Sequence, residues 1–136
     1  MTKFFTRGLF TVFACLLLSG CFGRVQPLYN VVSKPIPTAS QALSMKEIGN
    51  VIELAAMGRD WLINKKQEGV YELTQTKKTH VAVVQVNYDQ KTFSIKYKDS
   101  SNLFYNGANI HRNYNRWVQY LERDIQMGLQ KAAMNR

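Results

Sequence analysis

Cysteine, histidine and acidic side chains are scarce in this chain, and each scarcity removes a class of function. Two cysteines occur in 136 residues, Cys15 and Cys21, both near the N-terminus. Residues 22–136 therefore carry no thiol for a disulfide, a thiolate metal site or a redox pair, and the fold has to stand on packing. The two histidines are His80 and His111. No set of histidines and carboxylates at ligand spacing accompanies them, so neither a metal nor a cofactor is expected. Acidic residues number 9 against 18 basic ones, for a net charge of +9. No apolar run reaches the roughly 20 residues that a membrane-crossing helix needs. No internal repeat is visible.

The N-terminal end is more informative. Lys3 and Arg7 precede Leu9 to Leu18, an almost unbroken apolar run, and small residues follow it. A positive start, a short apolar centre and a small-residue exit make a secretory signal, residues 1–20, which stays outside the fold. Leu18-Ser19-Gly20-Cys21 resembles the lipobox of bacterial lipoproteins. The resemblance implies cleavage before Cys21, fatty acylation of its sulfur through a diacyl group, and acylation of its nitrogen. The alternative is an ordinary signal peptide with Cys21 unmodified. At about 0.8 kcal/mol per buried methylene, one chain anchors only marginally and two or more hold firmly. Phe22 stands where an aspartate would suggest retention at the inner membrane, so the expected address is the outer membrane with the domain in the periplasm. Loss of residues 1–20 leaves 116 of the 136, and the departure of Lys3 and Arg7 takes the charge from +9 to +7. That length suits one domain, and that charge suits an anionic lipid or polysaccharide surface. An envelope address argues against nucleic acid.

Residues 21–43 read as the lipidated cysteine and a tether, because Pro27, Pro35 and Pro37 interrupt ladders and bias the residues before them. A short edge strand at Leu28 to Val32 is the alternative. The folded domain is expected over 44–136. Ser44-Met45-Lys46-Glu47 has the form of a capping box, which starts a helix running to about Asn64. Met45, Ile48, Val51, Ile52, Ala55 and Leu62 would face the core. Leu54, Met57 and Trp61 gather on nearly the opposite side. Either they pack under the tether, or the helix bends at Gly58, or they form a partner-binding surface.

Three strands follow: Val70 to Gln75, His80 to Asn87 and Thr92 to Lys98. Alternation points Ala82, Val84 and Val86, then Phe93, Ile95 and Tyr97, to one side. After the polar loop Asp99 to Asn102 and the Asn106-Gly107 turn, Asn109 caps a last helix from Ile110 to about Lys131. Its apolar face holds Tyr114, Trp117, Val118, Leu121, Ile125 and Gly128, while Arg112, Arg116 and Arg123 make a basic stripe opposite. The predicted architecture is α+β, a small two-layer domain of helix, three-stranded antiparallel meander and helix.

Trp61, His80 to Val84, Phe93 to Leu103 and Ile110 to Val118 together resemble a family of small proteobacterial lipoproteins of uncharacterised function. The stretches Phe-Ser-Ile-Lys-Tyr-Lys-Asp-Ser-Ser-Asn-Leu and Ile-His-Arg-Asn-Tyr-Asn-Arg-Trp-Val are the specific part. The resemblance implies a shared fold and envelope location, and brings no activity with it. From the residues themselves, Tyr97, Ser100, Asn102, Tyr105, His111 and Asn115 could line a polar pocket for a small or anionic ligand, or could simply stitch the loop to the helix. Ser100 and His111 are the sole candidates for a nucleophile and base, and no motif places them together. A non-catalytic module that binds an envelope protein is therefore the expected function, with ligand binding as the alternative.

Overall fold

The computed structural model describes residues 23–136, so the signal sequence and Cys21 lie outside the described residues. The elements in order are strands β1 (Val25–Pro27) and β2 (Val31–Pro35), a 3-10 turn (Thr38–Ala42), helix α1 (Met45–Met57), strands β3 (Leu62–Gln67), β4 (Val70–Lys77), β5 (His80–Tyr88), β6 (Thr92–Ser101) and β7 (Asn109–His111), and helix α2 (Arg112–Met134). Every strand pairing is antiparallel. The five-stranded sheet runs β2-β6-β5-β4-β3, and β1 pairs with β7 as a separate ribbon. The α+β class holds. The three-stranded meander does not: the three expected strands are the centre of a five-stranded sheet, widened by β2 on one side and β3 on the other.

Alternation along the central strands sorts side chains onto two faces. Leu73, Ala82, Val84, Val86, Phe93 and Ile95 are buried on the inner face. The helices cover that face with Ile48 and Ile52 from α1 and Tyr114, Val118, Leu121 and Ile125 from α2. Each such aliphatic side chain contributes about 1.5–3 kcal/mol. The outer face keeps Asn64, Glu72, Gln85 and Lys96 in one cross-strand row, where Lys66 and Lys98 both pair with Glu72. The helices run antiparallel. Arg136 meets Glu47 at one end, Arg59 meets Asp124 at the other, and Gly128 sits against Val51 between them.

The segment expected as a tether is part of the fold. Val25 to Pro27 pair with His111 to Asn109, and Val31 to Pro35 pair with β6. Val31, Ile36 and Leu43 are buried in the core. Pro27 and Pro35 are accommodated because, among the described residues, β1 and β2 each have one unpaired side, where a missing N–H costs no ladder bond. Asn115 binds this segment to α2: its Oδ1 accepts from Tyr29 N–H (3.0 Å) and its Nδ2 donates to the Pro27 carbonyl (2.8 Å).

Helix α1 starts where the capping box places it. Ser44 Oγ accepts from Glu47 N–H at 3.2 Å, and Ser44 N–H donates to Glu47 Oε2 at 2.7 Å. It ends at Met57, about two turns earlier than predicted. Asp60 takes a left-handed φ of 62°, which reverses the chain, and Trp61 N–H bonds back to the Ala56 carbonyl at 3.0 Å. Leu62, expected in the core, therefore begins β3 with its side chain exposed.

Candidate functional site

The predicted ligand residues lie at the end of the domain where β6, β7 and the start of α2 meet. A register shift opposite Val83 and Val84 carries β6 through to Ser101, so Asp99 and Ser100 are strand residues rather than loop. Tyr97, Ser100, Asn102 and Tyr105 border one shallow depression of about 450 Å³. Within it Tyr97 OH and Ser100 Oγ share a hydrogen bond of 2.8 Å, and the Tyr97 and Tyr105 rings stack at 4.0 Å. Burial raises the pKa of Tyr97, so its hydroxyl stays protonated.

His111 borders this group without lining the depression. It is the residue before α2, not on it: its Nδ1 accepts from Asn113 N–H at 3.1 Å and so replaces the expected Asn109 cap. Its ring stacks on His80 at 5.6 Å, and His80 Nδ1 donates to the Asn102 carbonyl at 2.6 Å. Burial, then the charges of His80, Arg112 and Arg24, lower the His111 pKa, which keeps the Nδ1 acceptor free. Asn115 is not part of the group, being committed to Pro27 and Tyr29. Ser100 is held by Tyr97, and His111 by its own helix, so the structure does not pair them as nucleophile and base.

Sequence reasoning passed over Phe104 in the same loop. Its side chain is 60% exposed and its backbone adopts φ 53°, and Asn102 two residues before it has φ 56°. A bulky residue in the left-handed region is strained by about 1–3 kcal/mol, and such strain clusters at functional positions. The bond from His111 N–H to the Leu103 carbonyl (2.7 Å) fixes the loop. The signal was present as the apolar run Leu103-Phe104-Tyr105 between two polar turns.

The expected stripe of Leu54, Met57 and Trp61 is divided by the early end of α1. Leu54 and Met57 are exposed, at 66% and 54%, but Trp61 is only 3% exposed. After the turn at Asp60 its indole lies beneath the helices, where Trp61 and Gln75 border a cleft of about 310 Å³ with Arg59, Lys77, Trp117 and Tyr120. Trp61 Nε1 and Gln75 Nε2 are both buried without a hydrogen-bond partner among the described residues. An unmet buried donor costs about 1–3 kcal/mol. The flanking cations are engaged: Arg59 Nε donates to Asp124 at 2.6 Å with its guanidinium over the Tyr120 ring at 4.8 Å, and Lys77 donates to Asp60 at 2.8 Å. The cleft thus has aromatic walls with two unmet donors buried behind its surface, which a carbonyl or carboxylate oxygen would reach only if the walls part. Gln75 was legible as a polar residue at an inward position of the Tyr71, Leu73, Gln75 alternation.

The exposed apolar side chains do not line the cleft but lie on the helices that border it. Met57 immediately precedes Gly58, which borders the cleft. Tyr120 is on its rim, and Met127, 61% exposed, lies seven residues further along nearly the same line of α2. Met127 precedes Gly128, and Leu54 is one turn beyond Val51, so both are close in sequence to the Gly128–Val51 contact between the helices.

Comparison with protein-family models, with curated proteins and with solved structures gives no match. Among the described residues there is no group of three or more potential metal ligands, and no helix long and apolar enough to cross a membrane.

Proposed function

We propose that this chain is a lipid-anchored protein of the bacterial outer membrane, and that its periplasmic domain docks a second envelope protein without catalysing a reaction. One observation carries the docking reading: two donors, Trp61 Nε1 and Gln75 Nε2, are buried without partners among the described residues behind the wall of a cleft, and the helices that border it expose Leu54, Met57 and Met127. A partner segment that covers these apolar side chains, parts the cleft wall and places a backbone carbonyl or terminal carboxylate against the two donors satisfies both features at once. Methionine-rich, adaptable surfaces suit such docking, and desolvated aromatic pockets are where binding energy concentrates. Trp61 enters this proposal as a recessed donor, because its burial overturns the exposed stripe expected from the sequence. The lipid anchor rests on the lipobox resemblance.

A photoreactive amino acid at Met57 or Met127 in living cells tests this, with Lys96 on the outer sheet face as the comparison site. The expected result is one defined protein adduct from the helix positions, absent at Lys96 and lost when Trp61→Phe removes the donor. Adducts equally abundant at all three sites, or none at Met57 and Met127, would sink the docking reading. Retention of a small carboxylate by the purified domain, without a protein adduct, would replace it with ligand binding.

A further inference from the structure

We infer that the end of the domain carrying Phe104 rests on an anionic bilayer surface, as a collar around the lipid attachment point. The inference rests on the proposed acylation of Cys21 and says how the anchored domain is oriented. Because the fold begins at β1 rather than after a tether, three residue steps separate Cys21 from Arg24, a reach of at most about 11 Å. Arg24 is itself fixed: its carbonyl accepts from Arg112 N–H at 2.7 Å, and Val25 pairs with His111. His111 in turn holds Leu103 by its N–H and lies 6.0 Å from the Phe104 ring. The β1–β7 ribbon and the strained loop therefore occupy one end of the molecule, and the proposed anchor precedes that end by three residues.

The chemistry of that end suits a membrane interface. Phe104, Tyr105 and Val25 are its exposed apolar groups, and aromatic side chains favour the headgroup level. Arg24, Arg112 and Lys78 are exposed around them. Lys78 belongs here because the adjacent Thr79 hydroxyl accepts from Asn102 Nδ2 at 2.6 Å. The acidic groups nearby are Asp99, which accepts from Ser100 N–H, and Asp60, which is paired with Lys77. Basic side chains are left in excess, and they attract anionic headgroups. The 23-residue helix α2 then points away from the bilayer, which puts Met134 about 34 Å off.

Lipid proximity is measured on the full lipidated chain in phosphatidylcholine vesicles containing phosphatidylglycerol. The mature chain has no free thiol once Cys21 is acylated, so Ala108→Cys or Met134→Cys places a single environment-sensitive dye. The Ala108 dye should be quenched severalfold more strongly by headgroup-attached quenchers than the Met134 dye. Arg24→Glu with Arg112→Glu should shift the contacting population about fivefold per charge, and Phe104→Ser should reduce quenching further. Equal, weak quenching at both sites on a chain whose mass shows acylated Cys21 overturns the collar alone. A mass showing unmodified Cys21 overturns the anchor and the collar with it. Quenching insensitive to lipid charge and to Phe104→Ser also overturns it.

Discussion

Gly128 lies so close to Val51 that a β-carbon on the glycine would fall 2.7 Å from Val51 Cγ1. Helix α2 therefore meets α1 at a point where only hydrogen fits. Alanine is intrinsically favoured over glycine in a helix by about 1 kcal/mol, yet here the added methyl must displace a buried valine. Gly128→Ala is expected to destabilise the domain by about 1–3 kcal/mol despite its better propensity. Shortening the opposing residue with Val51→Ala in the same chain should return part of the loss. Denaturant midpoints of the two single variants and the double variant form the test, and strictly additive losses would show that the contact is not responsible.

Asn115 makes a comparable link between distant parts of the chain, joining α2 to both Pro27 and Tyr29. Asn115→Leu removes both bonds and leaves a backbone carbonyl and amide without these partners. A loss of about 2 kcal/mol follows. Hydrogen exchange should report it locally, with faster exchange at Leu28 and Tyr29 than in β5. Uniformly faster exchange would mean that the N-terminal segment does not depend on this side chain.

The contrast between these links and the capping box explains how far the sequence could be read. The Ser44 and Glu47 bonds span three residues and left a local signature, so the start of α1 was legible. Burial of Ala82, Val84, Val86, Phe93 and Ile95 was legible too, because alternation is local. The end of α1 was not: Arg59-Asp60-Trp61 contains no proline, and the left-handed turn at Asp60 is fixed by a backbone bond to Ala56. The early end of α1, next to the bend considered at Gly58, is what parts Trp61 from Leu54 and Met57 and puts it in the core. Strands β1 and β2 owe their order to partners more than fifty residues away in β7 and β6. Their prolines read locally as a tether. At the pocket, Tyr97, Ser100, Asn102 and Tyr105 did converge, whereas Asn115 shared their part of the helix and served a different segment.

Stability should fall on both sides of neutrality, with causes that separate by residue. Bonds from Ser44, then Arg136, hold the Glu47 carboxyl down to about 2 from 4.5. Its contribution is present above the unfolded value and is lost as pH falls toward about 2. Ion pairs lower Glu53, Asp60, Glu72 and Asp124 in the same sense. His111, lowered from 6.5 chiefly by burial, adds an earlier loss as acid protonates the nitrogen that caps α2. At the alkaline end the bond to Glu122 pushes Tyr29 up to about 12 from 10.0, so its contribution is present below pH 10 and lost as pH rises through 12. Denaturant midpoints across pH should form a dome. Glu47→Gln should flatten the acid limb and leave the alkaline limb alone; an unchanged acid limb would assign that loss to other carboxylates.

Gln75 sets stability against binding within one side chain. It occupies a core position opposite Ala82, is buried, and leaves its Nε2 without a partner among the described residues. Methionine has similar length, no donor and no desolvation cost. Gln75→Met is therefore expected to raise the stability of the isolated domain by about 1–3 kcal/mol. If the donor is kept for an acceptor on a docking partner, the same change should reduce the photo-crosslinked adduct from Met57 about tenfold or more, since a lost buried hydrogen bond is worth at least about 1.4 kcal/mol when the opposing acceptor is left unmet. A variant that gains stability and keeps full docking would place the partner outside the cleft. A variant that loses stability would mean that the amide is already satisfied in solution. Greater stability together with weaker docking is the combination that a purely structural glutamine cannot produce.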